Sequence, residues 1–290
     1  MPRLLLTVIA LLALVTGCSQ TPQVSARPPE APAAPPDQAG LPDGSSVHTI
    51  SFGGVERNYI VYKPAGLPAA APLVVVMHGL SGTPEYSQRT FGWDPLADTA
   101  KFVVAYPAGV GRSWNTGAGC CGQAERRNID DIGFITQLVG DISAQVPIAQ
   151  NQIYAAGMSN GGMMALALAC TTGTFAAVAA VSATQVGGPC SPPRPPSVLQ
   201  IHGTSDPIIK YDGAPGIGYG GGQSIPAVDE FWRGVDGCEP PTVTDDGSAT
   251  TSTATCAAGR SVELITTTAG HVWPPFATQR IWDFFAAHPQ

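Results

Sequence analysis

Short apolar runs at residues 73–77, 102–106, 153–156, 177–181 and 198–201 constrain this chain more than any other feature. Each is shorter than an ordinary helix and apolar on both alternating faces, as expected of strands buried between two helical layers of a parallel sheet. Helical patterns fall between them. Residues 130–146 place Ile132, Ile135, Leu138, Val139 and Ile142 on one face, and residues 162–169 continue the pattern after the third run. Alternating segments at 46–52 and 57–62, joined through Gly53 and Gly54, predict an antiparallel hairpin at the start. A strand near 262–265 and a helix near 278–287 close the series. The expected fold is a single α/β domain with a doubly wound, mostly parallel sheet and an antiparallel N-terminal hairpin.

Three segments are expected. Residues 1–17 carry Arg3 and then an apolar run that is too short to span a bilayer and fits a signal-peptide core. Val15, Thr16 and Gly17 precede Cys18 as small residues precede the lipidated cysteine of a bacterial lipobox. Residues 18–45 then form a Pro- and Ala-rich tether, and residues 46–290 the catalytic domain. These features predict export, with a membrane contact through a lipid on Cys18. The net charge of -7 and only three lysines give no basic surface for nucleic acid.

Apart from Cys18 there are six cysteines, and in an exported chain they are expected to be oxidised. Cys238 and Cys256 flank a Thr/Ser/Asp-rich excursion, and Cys170 and Cys190 flank a helix end and the next strand. Those pairings would leave Cys120 and Cys121 as a vicinal disulfide, although other connectivities remain open. No Cys-x-x-Cys pair with nearby histidines supports zinc, and no metal or other cofactor is expected.

Gly157-Met158-Ser159-Asn160-Gly161 lies between an expected strand and an expected helix. There it fits a nucleophile elbow, with Ser159 on a sharp turn and glycines where the two elements cross. A serine hydroxyl needs a base to take its proton and usually a carboxylate to orient that base. His271 lies in a loop between the last strand and the last helix, where the α/β-hydrolase arrangement delivers its base. Asp206 follows the strand at 198–201 and is the expected acid; Asp212, farther along the loop, is a weaker rival. Asp130 and Asp131 precede the serine and suit a helix N-terminus. The tetrahedral intermediate needs N–H donors, expected from Asn160 and from Leu80 in the turn His78-Gly79-Leu80-Ser81-Gly82. His78 is expected either to hold that turn or to meet substrate. Trp114 and Trp273 are candidates for an apolar wall around the acyl group or for core packing. Gly216-Ile217-Gly218-Tyr219-Gly220-Gly221 spells a dinucleotide fingerprint but neither directly follows a buried strand nor opens a helix, so it is assigned to a loop.

Taken in order, Tyr106-Pro107-x-Gly109, Ser113-Trp114-Asn115, Cys120-Cys121-Gly122, Gly157 to Met163, His202-Gly203-Thr204-x-Asp206 and Gly270-His271-x-Trp273-Pro274 resemble the secreted polyhydroxybutyrate depolymerase and feruloyl esterase group of α/β-hydrolases. With the lipobox, the likeness is to its lipoprotein members. The resemblance implies a serine esterase with Ser159, Asp206 and His271 at the catalytic positions, acting on hydroxyalkanoate oligomers or hydroxycinnamoyl esters. Depolymerases of the solid polymer generally carry an added substrate-binding domain, so soluble esters or oligomers are the expected substrates. Acyl transfer to a sugar or lipid alcohol would use the same groups. Outside catalysis, the alternative is a surface binding protein on a retained hydrolase scaffold.

Overall fold

The computed structural model describes residues 40–117, 120–187 and 190–290; the expected signal peptide, Cys18 and nearly all of the tether lie outside them. The chain opens with the antiparallel pair β1 (Gly44–Phe52) and β2 (Val55–Lys63), whose register runs from Gly44 opposite Lys63 to Phe52 opposite Val55. The parallel strands are β3 (Ala71–Met77), β4 (Val103–Pro107), β5 (Ile148–Met158), β6 (Ala177–Val181) and β7 (Ser197–Gly203). Two further strands, β8 (Thr242–Asp245) and β9 (Ala249–Thr255), precede the last, β10 (Ser261–Thr267). They form one sheet in the order β1-β2-β4-β3-β5-β6-β7-β10-β9-β8, parallel from β4 to β10 and antiparallel at both ends.

Both faces of the central strands β3, β4, β6 and β7 are buried. In β3, Leu73, Val75 and Met77 join one core while Val74 and Val76 join the other. The first core also receives α4 (Asp131–Gln145), α5 (Asn160–Thr171) and α6 (Ile225–Asp236). The second receives Trp93 and Ala97 of α2 (Trp93–Ala100), and Ile281, Phe284 and Phe285 of α7 (Ala277–Ala287). This two-sided burial explains why the strands are continuous apolar runs. Asp130 caps α4 by accepting from the Gly133 N–H at 2.8 Å, as its place before the helix suggested.

The pattern of short runs did not reveal α1 (Pro84–Thr90), α2, α3 (Gly122–Arg126), α6 or the edge hairpin β8–β9. Every residue of β8 is exposed, so no apolar alternation marks it. The three expected disulfides are present: Cys120–Cys121, Cys170–Cys190 and Cys238–Cys256. The last ties the end of α6 to the end of β9. The Gly216 to Gly221 segment lies in the β7–α6 loop, and α6 starts only after Ser224.

Candidate active site

The strand order switches at β3, which has β4 on one side and β5 on the other although all three strands are parallel. The carboxyl ends of such neighbours form a crevice in open α/β sheets. Ser159 leaves β5 there with φ 54° and ψ −122°, a left-handed position for a residue with a side chain. Its N–H is tied to the Val181 carbonyl at 2.8 Å, which anchors the turn to β6. The flanking glycines permit the crossing. A Cβ on Gly157 would stand 2.3 Å from the Gly161 carbonyl carbon, and one on Gly161 2.3 Å from the Met77 carbonyl oxygen.

The turn after β3 faces the elbow. His78 is buried; its Nε2 accepts the Gly109 N–H at 3.0 Å, so its Nδ1, 2.8 Å from the Gly79 carbonyl, carries the proton. Burial drives its pKa from 6.5 down to about 4, despite the bond to Gly79, and the ring is therefore neutral. Trp114 is also fully buried and donates its indole N–H to the His78 carbonyl at 2.8 Å. The Asn160 side chain accepts the Trp114 N–H at 2.7 Å and donates to the Trp114 carbonyl at 3.0 Å. Loop, turn and elbow are thus locked together by neutral hydrogen bonds. The backbone N–H groups of Leu80 and Asn160 find no acceptor among the described residues.

The loops after β7 and β10 meet on the other side. His271 Nδ1 lies 2.8 Å from Asp206 Oδ2, and Asp206 Oδ1 accepts the Ile208 and Ile209 N–H groups at 2.8 and 2.9 Å. Burial by itself would raise the Asp206 pKa. The bonds from His271 and the two amides outweigh it and hold the carboxyl below its ordinary value. Ser182, at φ 48° after β6, donates to the Val272 carbonyl at 3.0 Å and steadies the His271 loop. Asp212 is exposed and accepts the Ala214 N–H in its own turn. Among the described residues it forms no hydrogen bond or ion pair with His271.

Ser159, His271, Leu80 and the Gly79 to Gly82 turn line one cavity of about 480 Å3. Its aromatic and aliphatic wall comes from Tyr86, Phe91 and Met158, and its charged rim from Arg89 and Arg112. Of the candidates for meeting substrate, none of His78, Trp114 and Trp273 lines this cavity. His78 and Trp114 brace the turn from beneath. Trp273 stacks on Phe91 at 4.2 Å and donates to Thr278, so it holds a wall residue instead of forming the wall. His202 was given no role from the sequence. Its Nε2 lies 2.8 Å from the Ile209 carbonyl and 3.5 Å from Asp206 Oδ2, under the acid loop. The adjacent His-Gly-Thr-x-Asp spacing was the available signal for it.

Residues 57–231 match the family model described as Esterase PHB depolymerase. The esterase-designated NocK protein of Nocardia uniformis subsp. tsuyamanensis is 30% identical across 92% of this chain and 88% of its own length. Feruloyl esterase B of Piromyces equi is 32% identical across 54% of this chain and 30% of its own. The chain spans only 23% to 36% of the length of several curated relatives that it matches. Among solved structures, the acetyl xylan esterase from Aspergillus awamori superposes with a TM-score of 0.62 at 16% identity, over 83% of this chain and 99% of that one. With a crevice where the strand order switches and an elbow serine sharing it with a carboxylate-bound histidine, this chain belongs to the PHB depolymerase esterase family and has the α/β-hydrolase fold.

Proposed function

We propose that the chain hydrolyses carboxylic esters of hydroxyacids or hydroxycinnamic acids through an acyl-enzyme on Ser159. The observation that carries this reading is the 2.8 Å contact of buried Asp206 with Nδ1 of His271, the histidine that lines the same cavity as Ser159. Asp206 occupies Nδ1 and leaves Nε2 to accept the serine proton. Ser159 Oγ attacks the ester carbonyl carbon as its proton passes to His271. The N–H groups of Leu80 and Asn160 stabilise the oxyanion. When the intermediate collapses, the bond to the alcohol breaks and His271 protonates the departing oxygen. Water then gives a proton to His271 and its oxygen to the acyl carbon. The acid departs, and Ser159 recovers its proton.

The hydroxyacid and hydroxycinnamoyl substrate classes come from the family description and from the feruloyl esterase relative. A small, partly aromatic cavity suits both. Lipidation at Cys18 would hold the enzyme at a membrane after export, with the tether between lipid and domain; radiolabelled palmitate incorporated by the wild type and lost in Cys18→Ala checks this. For the chemistry, an alkyl fluorophosphonate is expected to label Ser159 stoichiometrically and to leave Ser159→Ala unlabelled. Labelling elsewhere, or ester hydrolysis that survives in Ser159→Ala, would remove the proposal.

A further inference from the structure

The active-site cavity carries a charge that ester hydrolysis does not require. The chain has 21 acidic and 14 basic residues, yet no Asp or Glu lines this cavity and two arginines do. Arg89 extends from the last turn of α1, and Arg112 from the loop after β4. Neither forms an ion pair among the described residues. Arg112 is held in place: its backbone sits at φ 59°, its carbonyl accepts the Ser81 N–H at 2.8 Å and its Nε lies 3.3 Å from the Gly82 carbonyl. Its two terminal nitrogens have no acceptor among the described residues. The guanidinium is therefore fastened to the turn that presents the Leu80 N–H, with its forked end unengaged.

We propose that Arg89 and Arg112 form a carboxylate-recognition site, so that the preferred substrate is an ester that also carries a free carboxylate. The inference rests on the hydrolase reading above and specifies its substrate. A planar guanidinium matches a carboxylate in shape as well as charge, and a second one lining the same cavity adds to the attraction. A neutral ester would gain at most a hydrogen bond from either residue, without the ionic attraction. The carboxylate could sit on the acyl part, as in a half-ester of a dicarboxylic acid. It could instead sit on the alcohol part, as at the free-acid end of a hydroxyacid oligomer.

Two matched substrate pairs separate these sources. The acyl arm compares p-nitrophenyl hydrogen glutarate with p-nitrophenyl valerate. The alcohol arm compares the linear β-hydroxybutyrate dimer as free acid with its methyl ester. On one arm the charged substrate is expected to have a kcat/KM about fivefold higher at low ionic strength, the scale of an exposed ion pair. That ratio should fall toward one in Arg89→Gln with Arg112→Gln, and near about 0.5 M salt. Arg112→Lys, which keeps the charge, should retain most of it. A ratio of one or less on both arms, or a ratio unaffected by the double substitution, overturns the site. Calorimetric binding of the free-acid dimer and its methyl ester to Ser159→Ala gives a readout independent of turnover. Equal affinities for that pair together with no preference on the acyl arm would also overturn it. If the wild type hydrolyses no ester at all, the catalytic proposal fails, whereas binding that prefers the acid and is lost in the arginine variants still supports the site.

Discussion

The two sides of the active-site crevice are held by different forces. On the Ser159 side, position is set by backbone packed against backbone. Gly157, Gly161 and the Met77 carbonyl meet where no side-chain atom fits, and the turn at His78 is fastened by neutral bonds that are buried or partly buried. On the side of Asp206 and His271, position is set by side-chain hydrogen bonds between loops, in a region that His271 shares with solvent. Changes on the first side should therefore damage fold and activity together. Changes on the second should damage activity and leave a folded protein.

The largest expected effect tests the loop side. Asp206→Asn should lower kcat by about four orders of magnitude, because the amide no longer fixes the imidazole tautomer, while the far-ultraviolet circular dichroism stays native. If that variant also unfolds, the loop contact is structural and the contrast disappears. Next comes Gly161→Ala, whose methyl would stand 2.3 Å from one backbone oxygen and 2.6 Å from another. Urea titration should show a loss of about 3 kcal/mol or more, with the specific activity of the soluble fraction falling in parallel. A stable but inactive Gly161→Ala would mean that the elbow can yield without unfolding.

The smallest effect concerns acid stability. His78 has a folded pKa of about 4 against an ordinary value of 6.5, so the unfolded chain binds its proton first. Its contribution is complete above pH 6.5 and is lost as the pH falls toward 4, up to about 3 kcal/mol over that window. His202, lowered by burial, acts in the same direction. Unfolding free energies at several pH values should thus have a shallower slope in His78→Gln than in the wild type, although not a flat one. Equal slopes would place the acid sensitivity on the loop side.

Much of the central sheet was legible because burial on both faces makes strands such as β3 and β6 almost wholly apolar, and α4 because its apolar residues recur on one face. Ser159, Asp206 and His271 stood out through chain order and their glycine neighbours, and the structure places Asp206 against His271. What stayed hidden lacked an apolar signature. Helix α1 buries only Pro84 and Ser87, and β8 and β9 are built mainly of Thr, Ser and Asp. The tryptophans were ambiguous for another reason. A large aromatic next to a catalytic motif has the same sequence appearance whether it faces substrate or props the floor, and the partners of the two indoles, the His78 carbonyl and Thr278, carry no sequence signal. The meeting of Arg89 and Arg112 depends on a turn of the chain that neither residue's neighbours reveal.

The shallow anchoring of α1 also bears on how such an enzyme changes over evolutionary time. This helix supplies Tyr86 and Arg89 to the cavity while contributing little to either core, and it joins the domain between two strands whose pairing does not depend on it. Substitutions or insertions there can alter which molecules enter without disturbing the serine, its base or the sheet. Selection for a new diet can therefore act on a replaceable part, at small risk to the chemistry beneath it.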